Sequence, residues 1–289
     1  MKGSQRSATP GLHSPTRNPQ PPRANSQSPT PTTPSAIISV RGLTVGFGAE
    51  PVLQGLDLDV ARGATVVILG ESGCGKTVLL KCLIGLLRPE KGQVLYKGQD
   101  ICSLDERDLS VLRKEFGMLF QGAALFDSLT VAENIAFPLR QHTRLTDAEV
   151  DRVVAEKLEL VGLPGTQDKM PAALSGGMRK RVGLARAIAM DPEVILYDEP
   201  TTGLDPIMAD QINDLIIKMQ EALSVTSFVV THDISSAAKV GDRLLRMYGG
   251  RFIFDGTAGD IMASTDPLVR SFVRGDSRMM EKAVEGRRS

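Results

Sequence analysis

The run ATVVILGESGCGKTVLLKCLIGLL, from Ala64 to Leu87, constrains the fold more than any other part of the chain. Its first seven residues form a nearly unbroken β-branched stretch, the pattern of a strand buried on both faces. A glycine-rich turn follows and passes directly into a helical pattern. Strand, glycine loop and helix in immediate succession make a phosphate cradle: the glycines let backbone amides turn inward, and the helix presents its positive end. Gly70–Thr77 fits G-x-x-x-x-G-K-[ST], with Glu71, Ser72, Gly73, Cys74 and Gly75 as loop positions ahead of Lys76. In such a loop Lys76 reaches the β- and γ-oxygens of a nucleotide, and Thr77 can ligate magnesium.

Two further segments, VILYD (Val194–Asp198) and SFVVTH (Ser227–His232), read as buried strands, whereas AIISVRGLTVGF and VLQGLDLDV alternate as half-exposed strands do. RLLRMY and RFIFDG, joined by Gly249 and Gly250, suggest a hairpin. Between the strands, Thr146 with Glu149 and Thr130 with Glu133 make capping boxes, and Asp205 with Pro206 opens a helix with Met208, Ile212, Leu215, Ile216 and Met219 on one stripe. The expected fold class is α/β with a mostly parallel core sheet.

Composition removes several function classes. Lysine plus arginine equals aspartate plus glutamate at 34 each, so no basic field points to nucleic acid. Three cysteines, Cys74, Cys82 and Cys102, lack the pairing of a disulfide framework or zinc site and fit a reducing cytosol, with Cys74 as a small filler in the loop. No apolar run approaches the roughly 20 residues needed to span a bilayer. Residues 1–35 hold eight of the 17 prolines and no acid, only Lys2, Arg6, Arg17 and Arg23 as charges. A disordered Pro/Ser/Thr-rich tail is expected there rather than a transit peptide, because that proline density opposes an amphipathic helix.

A second half of the phosphate site lies in VILYDEP, where Asp198 ends a buried strand as a magnesium-binding carboxylate and Glu199 follows in place to orient a water. A third motif, LSGGM (Leu174–Met178), puts Ser175 at a helix cap with Gly176 and Gly177 in the first turn. Together these motifs, in order and spacing, resemble the ATP-binding cassette (ABC) family from about Ile37 to Asp260. The resemblance implies a P-loop NTPase of ABC type, with an antiparallel β subdomain and a helical subdomain at about 122–190 within an ATPase domain over 36–263.

It also implies roles for individual residues. ATP and Mg2+ would be the cofactors. Phe47 is similar to the aromatic that stacks on adenine, Gln121 to the glutamine that touches magnesium and the attacking water, and His232 to the histidine that clamps the γ-phosphate against Glu199. Ser175, Gly176, Gly177 and Asp205 would reach the nucleotide of a second subunit in a head-to-tail homodimer. Met178 stands where glutamine is usual, and Val78 where a second hydroxyl is common.

The combination of FQGAALFDSLTVAENIAFPLR (Phe120–Arg140), LSGGM and ILYDEPTTGLDPI looks like the Mla-type, MCE-associated phospholipid transport ATPases. That kinship implies transmembrane permease subunits, an MCE-domain lipid-binding protein, a STAS-domain regulator and a peripheral place on the cytoplasmic face of the inner membrane. Alternatives are an ABC importer or exporter for another substrate, or a soluble cassette ATPase without transport. Within Phe120–Arg140, Gly122–Ala124 is expected to be a pliable joint, Leu125 and Phe126 to line a groove for a permease helix, and Pro138 to limit the helix that starts at Val131. Residues 264–289 form a C-terminal extension, and those beyond Asp266 are expected to support dimerisation.

Overall fold

In a computed structural model the described residues are 36–48, 50–276 and 278–282; the expected tail over 1–35 lies outside them. The chain runs β1 (Ala36–Gly46), β2 (Pro51–Ala61), β3 (Thr65–Leu69), α1 (Lys76–Leu83), β4 (Lys91–Tyr96), β5 (Gln99–Asp100), α2 (Glu106–Leu112) and β6 (Phe116–Leu119). It continues through α3 (Val131–His142), α4 (Asp147–Leu160), α5 (Gly176–Ala187), β7 (Val194–Asp198), α6 (Pro206–Leu223), β8 (Thr226–Thr231) and α7 (Ile234–Val240). It closes with β9 (Arg243–Tyr248), β10 (Arg251–Gly256), α8 (Ala258–Ala263) and α9 (Pro267–Arg274).

Among the described residues these strands make two sheets. One is six-stranded in the order β10-β9-β3-β8-β7-β6, parallel except for the β9–β10 hairpin; the other is a four-stranded antiparallel sheet, β2-β1-β4-β5. Strands β3, β7 and β8 are buried at every position, as their unbroken apolar runs predict. Alternate side chains of each strand divide between two apolar layers. Val67 and Leu69 of β3, with Ile195 and Tyr197 of β7, join the layer of α3 to α7. Val66 and Ile68, with Val194 and Leu196, join α1, α2 and the antiparallel sheet. No helix among the described residues is long and apolar enough to cross a membrane.

Both capping boxes form, Thr130 with Glu133 and Thr146 with Glu149. Pro138, however, does not limit its helix: α3 continues to His142. Val131, Ile135 and Leu139 are all buried at four-residue spacing, so the apolar stripe carries the helix past the hydrogen bond that proline cannot donate. The turn before α3 is fixed by Asn134, fully buried, whose Oδ1 accepts the Phe126 N–H at 2.8 Å while Nδ2 donates to the carbonyls of Phe126, Leu129 and Thr130. At the C-terminal end, α9 buries Leu268 and Val269 within the same chain.

Leu196, in the middle of the fully buried strand β7, reports on this packing. Leu196→Ala is expected to cost about 2–5 kcal/mol, read as a lowered urea midpoint at unchanged slope.

Candidate functional site

The register of the parallel strands builds the site. Leu69 of β3 pairs with Thr231 of β8, and Asp198 of β7 pairs with Val230, so the turn after β3, the acidic pair after β7 and His232 after β8 emerge at one sheet edge. The Gly70 N–H donates to the Thr231 carbonyl at 3.2 Å and the Glu199 N–H to the Val230 carbonyl at 2.9 Å, which fixes both turns to β8.

Gly75 sits at the cap of α1 with φ 106°, and a Cβ there would lie 2.6 Å from Leu53 Cδ2, so only glycine fits. With no side chain to cap it, the first turn of α1 keeps its amides for an anion. Lys76 is buried; its Nζ donates to the carbonyls of Gly70 at 2.7 Å and Glu71 at 3.0 Å and lies 3.3 Å from Glu199 Oε1. Thr77 Oγ1 donates to Asp198, 3.0 Å from Oδ1 and 3.2 Å from Oδ2. Burial pushes the Asp198 carboxyl above its ordinary range, and the Thr77 hydroxyl opposes that shift. A cation would offset the same burial. This pair of hard oxygens fits Mg2+, which takes one or two protein ligands and fills its other positions with water and phosphate.

Glu199 adopts φ 49°, in the left-handed region. Its Oε2 accepts from Thr202 Oγ1 at 3.0 Å and lies 2.9 Å from His232 Nδ1. Ser72, Gly73, Gly75, Lys76, Thr77 and Val78 face Gln121, Glu199 and His232 across a cavity of about 270 Å³. Burial raises the Cys74 thiol above its usual range, as suits a filler rather than a nucleophile.

The remaining predicted residues are elsewhere. Phe47 stands exposed past the end of β1 and does not line the cavity. Ser175 caps α5 through the Met178 N–H, and Asp205 caps α6 through the N–H groups of Ile207 and Met208. Gly177 lies against Met208, so the signature and Asp205 form a second surface apart from the phosphate cavity. The predicted set is thus split into two halves that this chain alone does not join.

The loop after β6 differs from expectation. The positive φ angles fall on Ala123 at 63° and Ala124 at 47°, not on Gly122. A left-handed alanine is strained, so this joint is pinned rather than pliable. Arg186 of α5 holds it, donating to the carbonyls of Ala123 and Ala124 at 2.8 Å each, with its guanidinium over the Phe126 ring. Burial lowers the affinity of Arg186 for its proton. Beside this joint lies a groove of about 560 Å³ that includes Phe120, Phe126 and Phe137. Leu125 is not part of it and packs into the core instead; Phe137 takes the place expected of Leu125, its ring 4.8 Å from that of Phe126.

Lys180 is the functional residue that sequence reading missed. It is buried in α5 and donates to the Gln121 carbonyl and, at 3.1 Å, to the Glu199 carbonyl. Burial depresses its pKa, against the pull of Asp198 and Glu199. A basic RKR run suggests a solvated face, but Gly183, three residues on, shares the Lys180 face and marks it as close-packed. A Cβ on Gly183 would meet Leu119 at 2.9 Å and Ala123 at 3.1 Å.

The ABC transporter family model matches residues 53–202, more than half of the chain. The chain belongs to the ABC transporter family. Along 241 residues it is 44% identical to the intermembrane phospholipid transport system ATP-binding protein MlaF of Haemophilus influenzae, covering 83% of this chain and 91% of that protein. It is 43% identical over 238 residues to the probable ribonucleotide transport ATP-binding protein mkl of Mycobacterium leprae, covering 82% of this chain and 69% of the relative. Among solved structures, the dimeric post-hydrolysis state of the ATP-binding cassette MJ0796 bound to ADP and Pi superposes with TM-score 0.71 at 30% identity, covering 76% of this chain and 98% of that one. The chain is therefore an ATP-hydrolysing cassette that uses Mg2+ and works as a dimer with transmembrane permease partners.

Lys180→Met removes the side-chain donor to the Gln121 carbonyl and leaves the Glu199 carbonyl only the Thr202 N–H at 3.3 Å, and is expected to cost about 1–3 kcal/mol in all. Chemical denaturation should show the loss, and Lys180→Arg should recover most of it.

Proposed function

We propose that this chain is the ATP-hydrolysing motor of a transporter that moves phospholipid between membranes of the cell envelope. The observation that carries this reading is the match to MlaF across nearly its whole length, whereas the mkl protein, whose name gives ribonucleotide as cargo, is matched over less of its own. An MCE-domain lipid-binding protein and a STAS-domain regulator complete the assembly. It sits on the cytoplasmic face of the inner membrane, peripheral to the permease. The groove at Phe126 and Phe137, apolar and open, receives a permease helix. The C-terminal extension beyond Asp266 supports the dimer.

Phosphate-binding roles follow from the cavity. The amides of Ser72, Gly73, Cys74, Gly75 and the start of α1 take the β-phosphate oxygens, and Phe47 stacks on adenine. Thr77, Asp198 and Gln121 hold Mg2+, which when bound neutralises the phosphate oxygens and aligns the γ-phosphate. Lys76 and Glu199 neutralise each other across 3.3 Å. Phosphate oxygens compete for Lys76, so nucleotide entry frees the Glu199 carboxylate to accept a proton from the attacking water, with His232 holding its other oxygen. Gly70 anchors the loop to β8, and Glu71 and Val78 border it. Ser175, Gly176, Gly177 and Asp205 of a second copy close the site.

Lys76→Ala is expected to abolish nucleotide binding or turnover, and Glu199→Gln to bind ATP without turnover and to trap a closed dimer visible by gel filtration. A wild-type hydrolysis rate in Glu199→Gln would overturn the general-base role. Phe126→Asp should leave the folded ATPase unable to co-purify with the permease from membranes. In proteoliposomes carrying the recovered complex, turnover should respond to phospholipid and not to ribonucleotide; the opposite response would assign the other cargo.

A further inference from the structure

Strand β9 places a cation where its pattern calls for an apolar residue. Leu244 and Arg246 point to the same face of the sheet, and Leu244 joins the apolar layer there. Arg246 is wholly buried and pairs in register with Leu69, the last residue of β3 before the phosphate loop. Its Nη1 donates to the Met247 carbonyl and lies 3.4 Å from where a Cβ on Gly70 would be. Its Nη2 donates to Glu71 Oε1 at 3.2 Å, and the guanidinium stacks 3.9 Å from the centre of the Phe272 ring on α9. Nε has no hydrogen-bond partner among the described residues.

Packing does not explain such a group. Burying a guanidinium costs several kcal/mol, and an apolar residue of similar volume in its place is often neutral or stabilising. What the arginine supplies is a fixed partner for Glu71. That carboxylate belongs to the phosphate loop, its side chain is half exposed, and the next residues, Ser72 and Gly73, line the nucleotide cavity. The Glu71 carbonyl also holds Lys76. Left unpaired, the Glu71 carboxylate would repel incoming phosphates and loosen the loop that orients Lys76.

We propose that Arg246 is a positioning residue for the phosphate loop, held between Glu71 and Phe272, so that the C-terminal helix α9 sets the chain's affinity for the phosphates of ATP. The inference rests on the reading that this loop binds nucleotide. The guanidinium touches the loop from behind and does not reach the nucleotide side of the cavity. α9 is itself anchored by Leu268 and Val269, so Phe272 acts as a fixed plate against which the guanidinium is stacked.

The test is steady-state turnover of the full chain with MgATP. Arg246→Met is expected to raise KM about tenfold, through the loss of the charge-assisted hydrogen bond to Glu71, with kcat at saturation within about twofold. Glu71→Gln added to Arg246→Met should restore KM to within about threefold of wild type, because it removes the unpaired charge; a purely structural defect would not respond. Phe272→Leu, which keeps an apolar residue in α9, should raise KM at least about threefold and serves as the reading if Arg246→Met does not fold. An unchanged KM in Arg246→Met, or a raised one that Glu71→Gln fails to restore, overturns the proposal, as does an unchanged KM in Phe272→Leu. A Lys76→Ala chain that still bound MgATP normally would instead remove the phosphate-loop reading itself.

Discussion

The site depends on the hydrogen-bonded register of three buried strands. Because β3, β8 and β7 run parallel and adjacent, their carboxyl ends reach one edge together, and the turns that follow are tied to β8 by backbone amides. A slip of one residue in either pairing would reverse which side chains face each apolar layer and would carry Asp198 away from Thr77. The cost of slippage is therefore paid in the core, and the chemistry inherits its precision from apolar packing.

On this frame the chain sets buried and half-buried cations against backbone carbonyls. Lys76, Lys180 and Arg186 donate to backbone carbonyls of functional loops, whereas Arg246 reaches the phosphate loop through the Glu71 side chain. Each carbonyl so bound is at or beside a turn with constrained geometry: the phosphate loop, the left-handed Glu199, and the paired left-handed alanines after Gln121. Long basic side chains suit this task because one nitrogen group can satisfy two carbonyls from different segments. The segments then move together or not at all.

The strands, the phosphate loop and the caps were legible in the sequence because each rests on a local rule: alternation, a glycine turn, a capping box. The helix through Pro138 was not, since the proline argues for a stop and only the buried Val131, Ile135 and Leu139 stripe outweighs it. Leu125 turns to the core and Phe137 to the groove because periodicity does not tell which apolar residues around a turn face inward. Lys180 and Arg246 were invisible for a related reason. A basic residue in a helix or strand reads as solvated, and burial becomes apparent only when the carbonyls it serves, distant in sequence, are brought beside it. Phe47, Ser175 and Asp205 were singled out by the family resemblance, yet their separation from the cavity depends on tertiary placement.

Helix α5 carries a consequence for the assembled pair. Its first turn presents Ser175 and two glycines away from the local cavity, while Lys180, one and a half turns further along, grips the Gln121 and Glu199 carbonyls of that cavity. At about 1.5 Å per residue the two points are less than about 10 Å apart on one rigid rod. In the head-to-tail dimer proposed above, the same rod would therefore have its cap at the partner copy's nucleotide site and its lysine behind its own. A strut only a few residues long would then stand between the two sites of such a pair, and any tilt of α5 at one would have to be taken up at the other.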